Sequence, residues 1–292
     1  MLRRGGKKDI CPSCGKRTFV PYVLTADGVT PAGGDFGRCD REQKCAYSRY
    51  PDGERTVEVH RIVESPKQGI RLSNTLPVAV KQGPLYEWMI GVVSGHAEDA
   101  RDLVDKAFEA YKVGLARTGE VIWWQIDIGG DVRTAKVMAY GPDGHRIKTD
   151  GGARVGWLHT RRELRQSGLL TGEVLEQCLF GEHLIKDRPH DRVIIVESEK
   201  TAVLMSALVP QAVWLACGGA QGMKNARRIS VLEDRDVMLL PDEGYYTEWA
   251  VIAREHGWRI DDFCEEERGL PPGWDIADFF EKQKGLTRIK KK

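Results

Sequence analysis

The chain has 292 residues, with 44 Lys+Arg against 43 Asp+Glu and a formal net charge of +1. At roughly 100–200 residues per domain, this length allows one large domain or two to three small ones with a buried core. An apolar share of 41% and a charged share of 30% exclude a disordered chain. No apolar run is long enough for a membrane span, and no apolar stretch follows the basic start. We therefore expect a cytoplasmic protein without a membrane partner or secretory signal.

Four of the seven cysteines lie within the first 45 residues, as a C-x2-C corner followed by a C-x5-C corner. They are Cys11, Cys14, Cys39 and Cys45. In a reducing compartment such a cluster indicates metal ligands rather than disulfides. Two corners of this kind form a tetrahedral four-sulfur site that zinc accepts. With a strand at Arg17–Val23 between the corners, the pattern predicts a zinc ribbon over residues 1–55. Four unrelated free thiols are the alternative.

Basic and aromatic residues are interleaved in the same segment. Residues 1–55 hold 11 Lys+Arg against 7 Asp+Glu. This mixture suits phosphate contact combined with base stacking, and a solvated charged surface is the other interpretation. The candidate nucleic-acid contacts here are Arg38, Arg41 and Lys44.

Residues 56–84 contain three prolines and no sustained period, which predicts a linker with a short strand at Val57–Val63. Apolar residues at helical spacing then predict a helix over Gly95–Tyr111. Two alternating runs, Val121–Ile128 and Val132–Tyr140, flank a Gly-Gly-Asp turn and predict a β-hairpin.

The hairpin and the residues after it form the basic part of the segment 85–190. Residues 133–165 carry eight Lys+Arg and three acidic residues. A basic stretch of this kind can hold a phosphate backbone, although each residue could equally be an ordinary surface cation. The candidate nucleic-acid contacts are Arg133, Lys136, Arg146 and Lys148.

In residues 191–292, short apolar runs alternate with helical segments, which predicts a parallel sheet covered on both faces. Glu197 directly follows the run Val193–Val196, and Asp242 follows the run Val237–Leu240. Because the carboxyl ends of parallel strands line the ligand crevice, we expect these two carboxylates to meet there and bind Mg²⁺ or Mn²⁺. Helix capping is the alternative role. Other acids that could join them are Glu199, Glu243, Asp275 and Asp278.

The segments VIIVESEKTA, WLACGGAQG, VMLLPDEG and WDIADFF, taken in order, resemble the Toprim domain of primases, topoisomerases and some nucleases. The order of zinc ribbon, linker, basic β region and Toprim domain resembles that of bacterial and phage replicative primases, in particular their divergent mobile-element relatives. VIWWQIDIGGDVRTAKVMAYGPDGHRIK resembles the basic region of the primase core, and CLFGEHLI resembles the segment before the first Toprim acid.

The resemblance implies an α/β protein with a zinc ribbon, a primase-like core and a Toprim sheet, encoded by a bacterium, phage or plasmid. It implies single-stranded DNA and nucleoside triphosphates as partners and the synthesis of short RNA primers with Mg²⁺. The catalytic acids would be Glu197, Asp242, Glu243, Asp275 and Asp278. No G-x4-G-K-[ST] motif occurs, so a replicative helicase would be a separate protein.

The chain differs from the Toprim pattern at three positions. Ser198 replaces the usual glycine, Thr201 stands where an acid is common, and Gly244 replaces the second aspartate of the D-x-D motif. Two alternatives to a primase follow: a nucleic-acid-binding module without catalysis, and a Toprim nuclease. A topoisomerase fragment is disfavoured, since no strand-passage domain is visible.

The net charge is unevenly distributed along the chain, with +4 over residues 1–55, 0 over 56–190 and −3 over 191–292.

Overall fold

The computed structural model describes residues 2–3, 7–24, 30–41, 44–45, 47–50, 71–72, 77–149, 152–153, 155–172, 174–265 and 274–283. The chain divides into two compact units, Met1–Ser65 and Pro66–Lys292. The strand predicted at Val57–Val63 and most of the predicted linker lie outside the described residues. The predicted boundaries after residues 84 and 190 stay predictions. Within the described ranges, no helix has the length and apolar character that a membrane crossing requires.

The first unit contains a four-stranded antiparallel sheet, in the order β1-β2-β3-β4. Its strands are β1 (Asp9–Ile10), β2 (Arg17–Pro21), β3 (Gly37–Cys39) and β4 (Ser48–Arg49). Its small core consists of the cysteines together with Phe19 and Tyr47, whose rings meet edge to face at 6.0 Å. A core of this size gives little hydrophobic stabilisation, so a bound metal is the expected source of additional stability.

Two helices come first in the main part of the second unit that the structure describes. Helix α1 (Pro84–Val93) begins with proline, whose fixed φ and missing N–H suit the first helical position. Helix α2 (Ala100–Tyr111) starts later than the predicted helix and buries the apolar residues that recur at three- and four-residue spacing. It ends at Lys112, which adopts a left-handed conformation.

An antiparallel sheet follows, in the order β11-β8-β7-β6. The predicted hairpin forms its centre, as β7 (Val121–Ile126) and β8 (Val132–Met138). The edge strands are β6 (Gly114–Leu115) and β11 (Val155–Trp157). Trp123 and Lys136 face each other across the hairpin, and Trp157 pairs with Lys136 from the other side. These three side chains therefore lie on the same face of the sheet.

The last third of the chain forms a parallel sheet in the order β14-β13-β15-β16. Its strands are β13 (Val193–Val196), β14 (Val213–Ala216), β15 (Val237–Leu239) and β16 (Arg259–Ile260). Alternate residues of β13 enter different cores: Ile194 packs with α1, α2 and α4, whereas Ile195 packs with Trp249 of α6. This confirms the predicted α/β class, because both faces of a parallel sheet need an apolar cover.

The remaining elements connect or flank these sheets. The strands are β5 (Arg71–Leu72), β9 (Lys148–Thr149), β10 (Gly152–Ala153) and β12 (Leu170–Thr171). The helices are α3 (Arg162–Gln166), α4 (Glu199–Leu208), α5 (Ala226–Ile229), α6 (Tyr246–His256) and α7 (Ile276–Gln283). Short 3-10 segments cover Leu158–Thr160, Glu182–Ile185, Ala220–Lys224 and Ser230–Leu232. Strand β5 pairs with β12, and β9 pairs with β10.

Candidate functional site

The four predicted cysteines meet in the first unit. The Sγ atoms of Cys11 and Cys45 lie 3.8 Å apart, those of Cys14 and Cys39 lie 4.0 Å apart, and all four lie within 4.8 Å of one another. A tetrahedral zinc site with Zn–S bonds of about 2.3 Å has sulfurs roughly 3.8 Å apart. The cluster therefore fits a structural zinc ion.

Local hydrogen bonds prepare two of these thiols to ligate a metal as thiolates. The Lys16 backbone N–H lowers the pKa of Cys14 to about 6, and the Thr18 hydroxyl, 3.2 Å from the Cys39 sulfur, lowers the pKa of Cys39. Burial raises the pKa of Cys11 to about 11. Zinc ligation would reverse this last effect, because a cation stabilises thiolates.

The basic candidates of the ribbon lie on and beside its sheet. Arg38 points outward from β3, the central position between β2 and β4, and is exposed. Lys44 is exposed and Arg41 half-buried, and the Arg41 carbonyl accepts the backbone N–H of Cys45 at 2.7 Å. The fold of the second corner thus places these cations beside the metal ligands. Their contact with nucleic acid stays a prediction.

In the second unit, Glu197 and Asp242 follow β13 and β15, two adjacent strands of the parallel sheet. The chain passes from β13 to β14 on one side and later to β15 on the other, so this is the point where the strand order reverses. Ligands of open α/β sheets bind at such a switch point. Glu197 does not cap the next helix, because Ser198 accepts the Thr201 N–H there at 3.2 Å.

Four carboxylates act on one another at this edge, and we call Glu197, Asp242, Asp275 and Asp278 the acidic centre. Burial, together with the charges of Asp275, Glu197 and Asp278, raises the pKa of Asp242 to about 9. Burial and Asp275 also raise the pKa of Asp278. Like charges in a buried site disfavour ionisation, so a bound cation would stabilise the ionised carboxylates.

The two later aspartates also have a structural role. Asp275 Oδ1 accepts the Asp278 N–H at 3.0 Å, and Asp278 Oδ2 accepts the Asp275 N–H at 3.2 Å. This reciprocal pair is a capping box that starts α7. The second Asp275 oxygen accepts the Thr201 hydroxyl at 2.5 Å, so Thr201 holds the aspartate against α4. The D-x-x-D spacing therefore serves both the helix start and the acidic centre.

Lys200 is the cation of the acidic centre, and we did not predict it from the sequence. It is buried, its Nζ lies 3.9 Å from Asp278 Oδ1, and it lowers the pKa of Asp242. The same ammonium lies 4.9 Å from the ring centre of Trp88. Its position directly after Glu199 and near the start of α4 was the available signal, because that turn faces the sheet edge.

Glu243 and Gly244 replace the usual second half of the D-x-D motif. The Glu243 N–H donates to the Trp274 carbonyl at 3.1 Å, which ties the turn after β15 to the residue before Asp275. Gly244 has a φ of +90°, which a side chain at this position would strain, and its N–H donates to Glu265 at 2.6 Å. The turn therefore favours glycine here.

The candidates of the basic hairpin differ in their surroundings. Lys136 is buried, and its Nζ lies 2.8 Å from both Glu199 Oε1 and the Gly218 carbonyl. Glu199 thus offsets the charge of Lys136. Arg133 is bound by Asp127, whose Oδ2 accepts its Nε–H at 2.6 Å. Both cations already form ion pairs within the protein, and their contact with nucleic acid stays a prediction.

Arg146 and Lys148 are exposed and follow the end of β8. Gly144, just before them, lies against the Trp88 ring, and that ring is 4.9 Å from the Lys200 ammonium, so the loop begins near the acidic centre. Over the described ranges, only the cysteine cluster forms a compact group of three or more metal-ligating side chains. The acidic centre is accordingly a looser arrangement than the zinc site, and its Mg²⁺ role stays a prediction.

Two family models match the chain. One, described as a domain of unknown function (DUF6371), covers residues 84–243, and the other, a zinc beta-ribbon finger, covers residues 1–58. No curated protein matches the sequence.

Several solved structures are similar at low identity. The primase fragment of the bacteriophage T7 primase-helicase aligns with a TM-score of 0.41 and 13% identity, over 99% of both chains. The zinc-binding and RNA polymerase domains of Aquifex aeolicus primase align at 0.40 and 13%, over 72% of this chain and 61% of that one. The RNA polymerase domain of Mycobacterium tuberculosis primase DnaG in complex with double-stranded DNA aligns at 0.31 and 17%, over 68% and 60%.

Proposed function

The chain belongs to the DUF6371 family, a domain of unknown function, and we propose that it is a primase-related nucleotidyltransferase that binds single-stranded DNA. One observation carries this proposal: four carboxylates share the switch point of a parallel sheet, and an exposed basic loop lies next to them. Metal-dependent phosphoryl chemistry requires such an acidic shell, and a template requires such a basic surface.

Primer synthesis joins the 3′ oxygen of one nucleotide to the α-phosphorus of the next, and the bond from that phosphorus to pyrophosphate breaks. Mg²⁺, when bound, would offset the negative charge that develops on the phosphoryl oxygens. Carboxylate oxygens are the ligands that Mg²⁺ prefers, which fits Glu197 and Asp242. The high pKa of Asp242, about 9, comes from burial among like charges, and a divalent cation would stabilise the ionised form.

The chain's own residues would position the reactants. Asp275 and Asp278 fix the start of α7 against the centre through their capping box and through Thr201. Lys200 would attract the triphosphate and limit repulsion among the acids. Arg146 and Lys148 would contact the DNA backbone, and Arg38, Arg41 and Lys44 of the zinc ribbon would add a second basic contact. A separate replicative helicase would present the template.

The test is primer synthesis on single-stranded circular DNA with labelled nucleoside triphosphates and Mg²⁺. Glu197→Gln keeps the shape of the side chain and removes its charge, so labelled oligomers should disappear. Glu255→Gln on the exposed face of α6 is the matched control and should leave synthesis unchanged. Cut DNA that depends on Glu197 would point to a nuclease instead, and equal synthesis by both variants would exclude the acidic centre as the active site.

A nucleic-acid-binding module without catalysis is the second candidate function. Two observations favour it: Lys200 already compensates part of the acidic charge, and Gly244 leaves the D-x-D motif without its second acid. In the same experiment, this function predicts DNA binding that persists in Glu197→Gln while neither protein forms oligomers or cuts DNA.

A further inference from the structure

A cavity of about 360 Å³ lies between the face of the antiparallel sheet and the turn that follows β14. This volume falls within the range of ~300–1,000 Å³ that small-molecule sites occupy. The sheet contributes Gln125, Lys136 and Trp157, and the turn contributes Gly218 and Gly219. Neither the four acids nor the zinc ligands line it, so it is a separate feature of the second unit.

One wall of the cavity holds a buried acceptor that the protein does not use. Gln125 is 3% exposed, and its Oε1 has no hydrogen-bond partner among the described residues. The facing hydroxyl of Thr134 does not serve it, because that hydroxyl bonds the His159 ring at 2.9 Å. An unpartnered buried amide is costly, so a ligand N–H that reached Gln125 would recover that cost.

The same cavity combines an aromatic surface with positive charge. Trp157 is half-buried, and the Lys136 ammonium lies 5.6 Å from its ring centre. Arg228 donates to the Cys217 carbonyl at 3.0 Å and to Gln177 at 2.7 Å, and these described contacts include no carboxylate. Because Glu199 offsets the charge of Lys136, the net positive charge of the cavity comes from Arg228.

The backbone of the turn connects this cavity to the acidic centre. The N–H groups of Gly218 and Gly219 both donate to the Glu197 carbonyl, at 2.9 and 3.0 Å. Both glycines have positive φ, and a side chain on Gly218 would come within 3.0 Å of the Lys136 ammonium. The turn lies at the end of β14, the immediate neighbour of β13, so the cavity and the acidic centre occupy adjacent strand ends.

We propose that this cavity is a nucleobase subsite, which holds the base of a nucleoside triphosphate whose phosphates extend to the acidic centre. The proposal rests on the proposed function, for which it assigns the position of the incoming nucleotide. A base supplies the flat ring that an indole contacts and the N–H edge that the Gln125 carbonyl lacks. The cationic wall favours an anion on the path from the cavity to the acidic centre.

Isothermal titration calorimetry of the full chain in the presence of Mg²⁺ tests the subsite by comparing the affinities for ATP and inorganic tripolyphosphate. If the cavity binds the base, ATP should bind about 10-fold more tightly than tripolyphosphate, equivalent to ~1.4 kcal/mol. Trp157→Ala and Gln125→Met should each remove about this factor for ATP and leave tripolyphosphate unchanged. Trp258→Ala removes a half-buried indole that stacks on His256 at the other sheet edge, and it should bind ATP as the wild type does.

Gln125→Met distinguishes a loss of ATP binding from a loss of stability. It replaces an unpartnered polar group by an apolar one of similar length, so the melting temperature should stay equal or rise while ATP affinity falls. Equal wild-type affinities for ATP and tripolyphosphate would overturn the subsite, and so would full ATP affinity in both variants.

Adenosine distinguishes a failure of the subsite from a failure of the proposed function. Adenosine binding that is lost in Trp157→Ala supports the subsite even if Glu197→Gln still forms primers. Conversely, primer synthesis that requires Glu197, together with adenosine binding that Trp157→Ala leaves unchanged, rejects the subsite and retains the proposed function.

Discussion

The ion pair of Lys136 with Glu199 gives the sharpest prediction about stability. The two side chains are 10% and 3% exposed, their charged atoms lie 2.8 Å apart, and they join β8 to the start of α4. Lys136→Met keeps the length of the side chain and leaves Glu199 as a buried carboxylate without this partner. Removal of one member of a buried pair costs about 3–5 kcal/mol, because the remaining charge stays desolvated.

For a folded unit of this size, that loss lowers the melting temperature by roughly 6–20 °C. Glu199→Gln should also destabilise, since it leaves the ammonium of Lys136 without its carboxylate. The double variant Lys136→Met/Glu199→Gln should recover much of the loss, with a coupling energy in the upper part of the 0.5–3 kcal/mol range, roughly 2–3 kcal/mol. Thermal and urea unfolding of the four proteins measure this cycle.

The matched control is Lys148→Met, which removes an exposed lysine from the same basic region and should change stability by no more than about 0.5 kcal/mol. A Lys136→Met protein that is as stable as this control would refute the pair as a structural bridge. Lys136 would then be available for phosphate contact, as the sequence pattern predicts.

Elemental analysis should find one zinc ion per chain, which Cys39→Ser loses and Cys178→Ser, at an isolated buried cysteine, retains; retention by Cys39→Ser would contradict the four-sulfur site. Gly144→Ala should destabilise by about 1–3 kcal/mol, because its Cβ would lie 2.2 Å from the tryptophan ring of α1. Gly130→Ala, with positive φ and open space, should cost less, and equal losses would exclude the clash. Burial lowers the pKa of His183, so the free energy of unfolding should fall as pH drops below about 6.5. In urea titrations from pH 7.5 to 5, His183→Gln should show a smaller fall, and an unchanged profile would assign the pH dependence elsewhere.

Local patterns in the sequence predicted the β-hairpin, the parallel strands and the cysteine cluster. Side chains alternate along a strand, so the fully apolar run Val193–Val196 required cover on both faces, and the structure supplies two separate cores there. Cysteine spacing likewise predicted the four-sulfur cluster. In each case, the deciding interaction lies within a few residues or follows from the period of one element.

The partners of each charged residue depended on the tertiary structure. In the sequence, Lys136 is a basic residue of a predicted strand, but in the structure it is buried against Glu199. Thr201 and Asp275 are 74 residues apart, and only the placement of α7 against α4 brings the hydroxyl to the carboxylate. The sequence does not distinguish Gln125 from other polar residues, and only the fold buries its Oε1 and brings Gln125 to the same cavity as Gly218 and Gly219.

The net charge of +1 shows the same division between sequence and structure. The concentration of basic residues early in the chain and of acidic residues late in it follows from residue order alone. Which cations are already paired depends on packing. An unpaired buried charge is costly, so the buried Lys136 and Lys200 lie next to internal carboxylates. Exposed Arg146 and Lys148 lie in solvent, where no such cost applies, and they remain candidates for DNA contact.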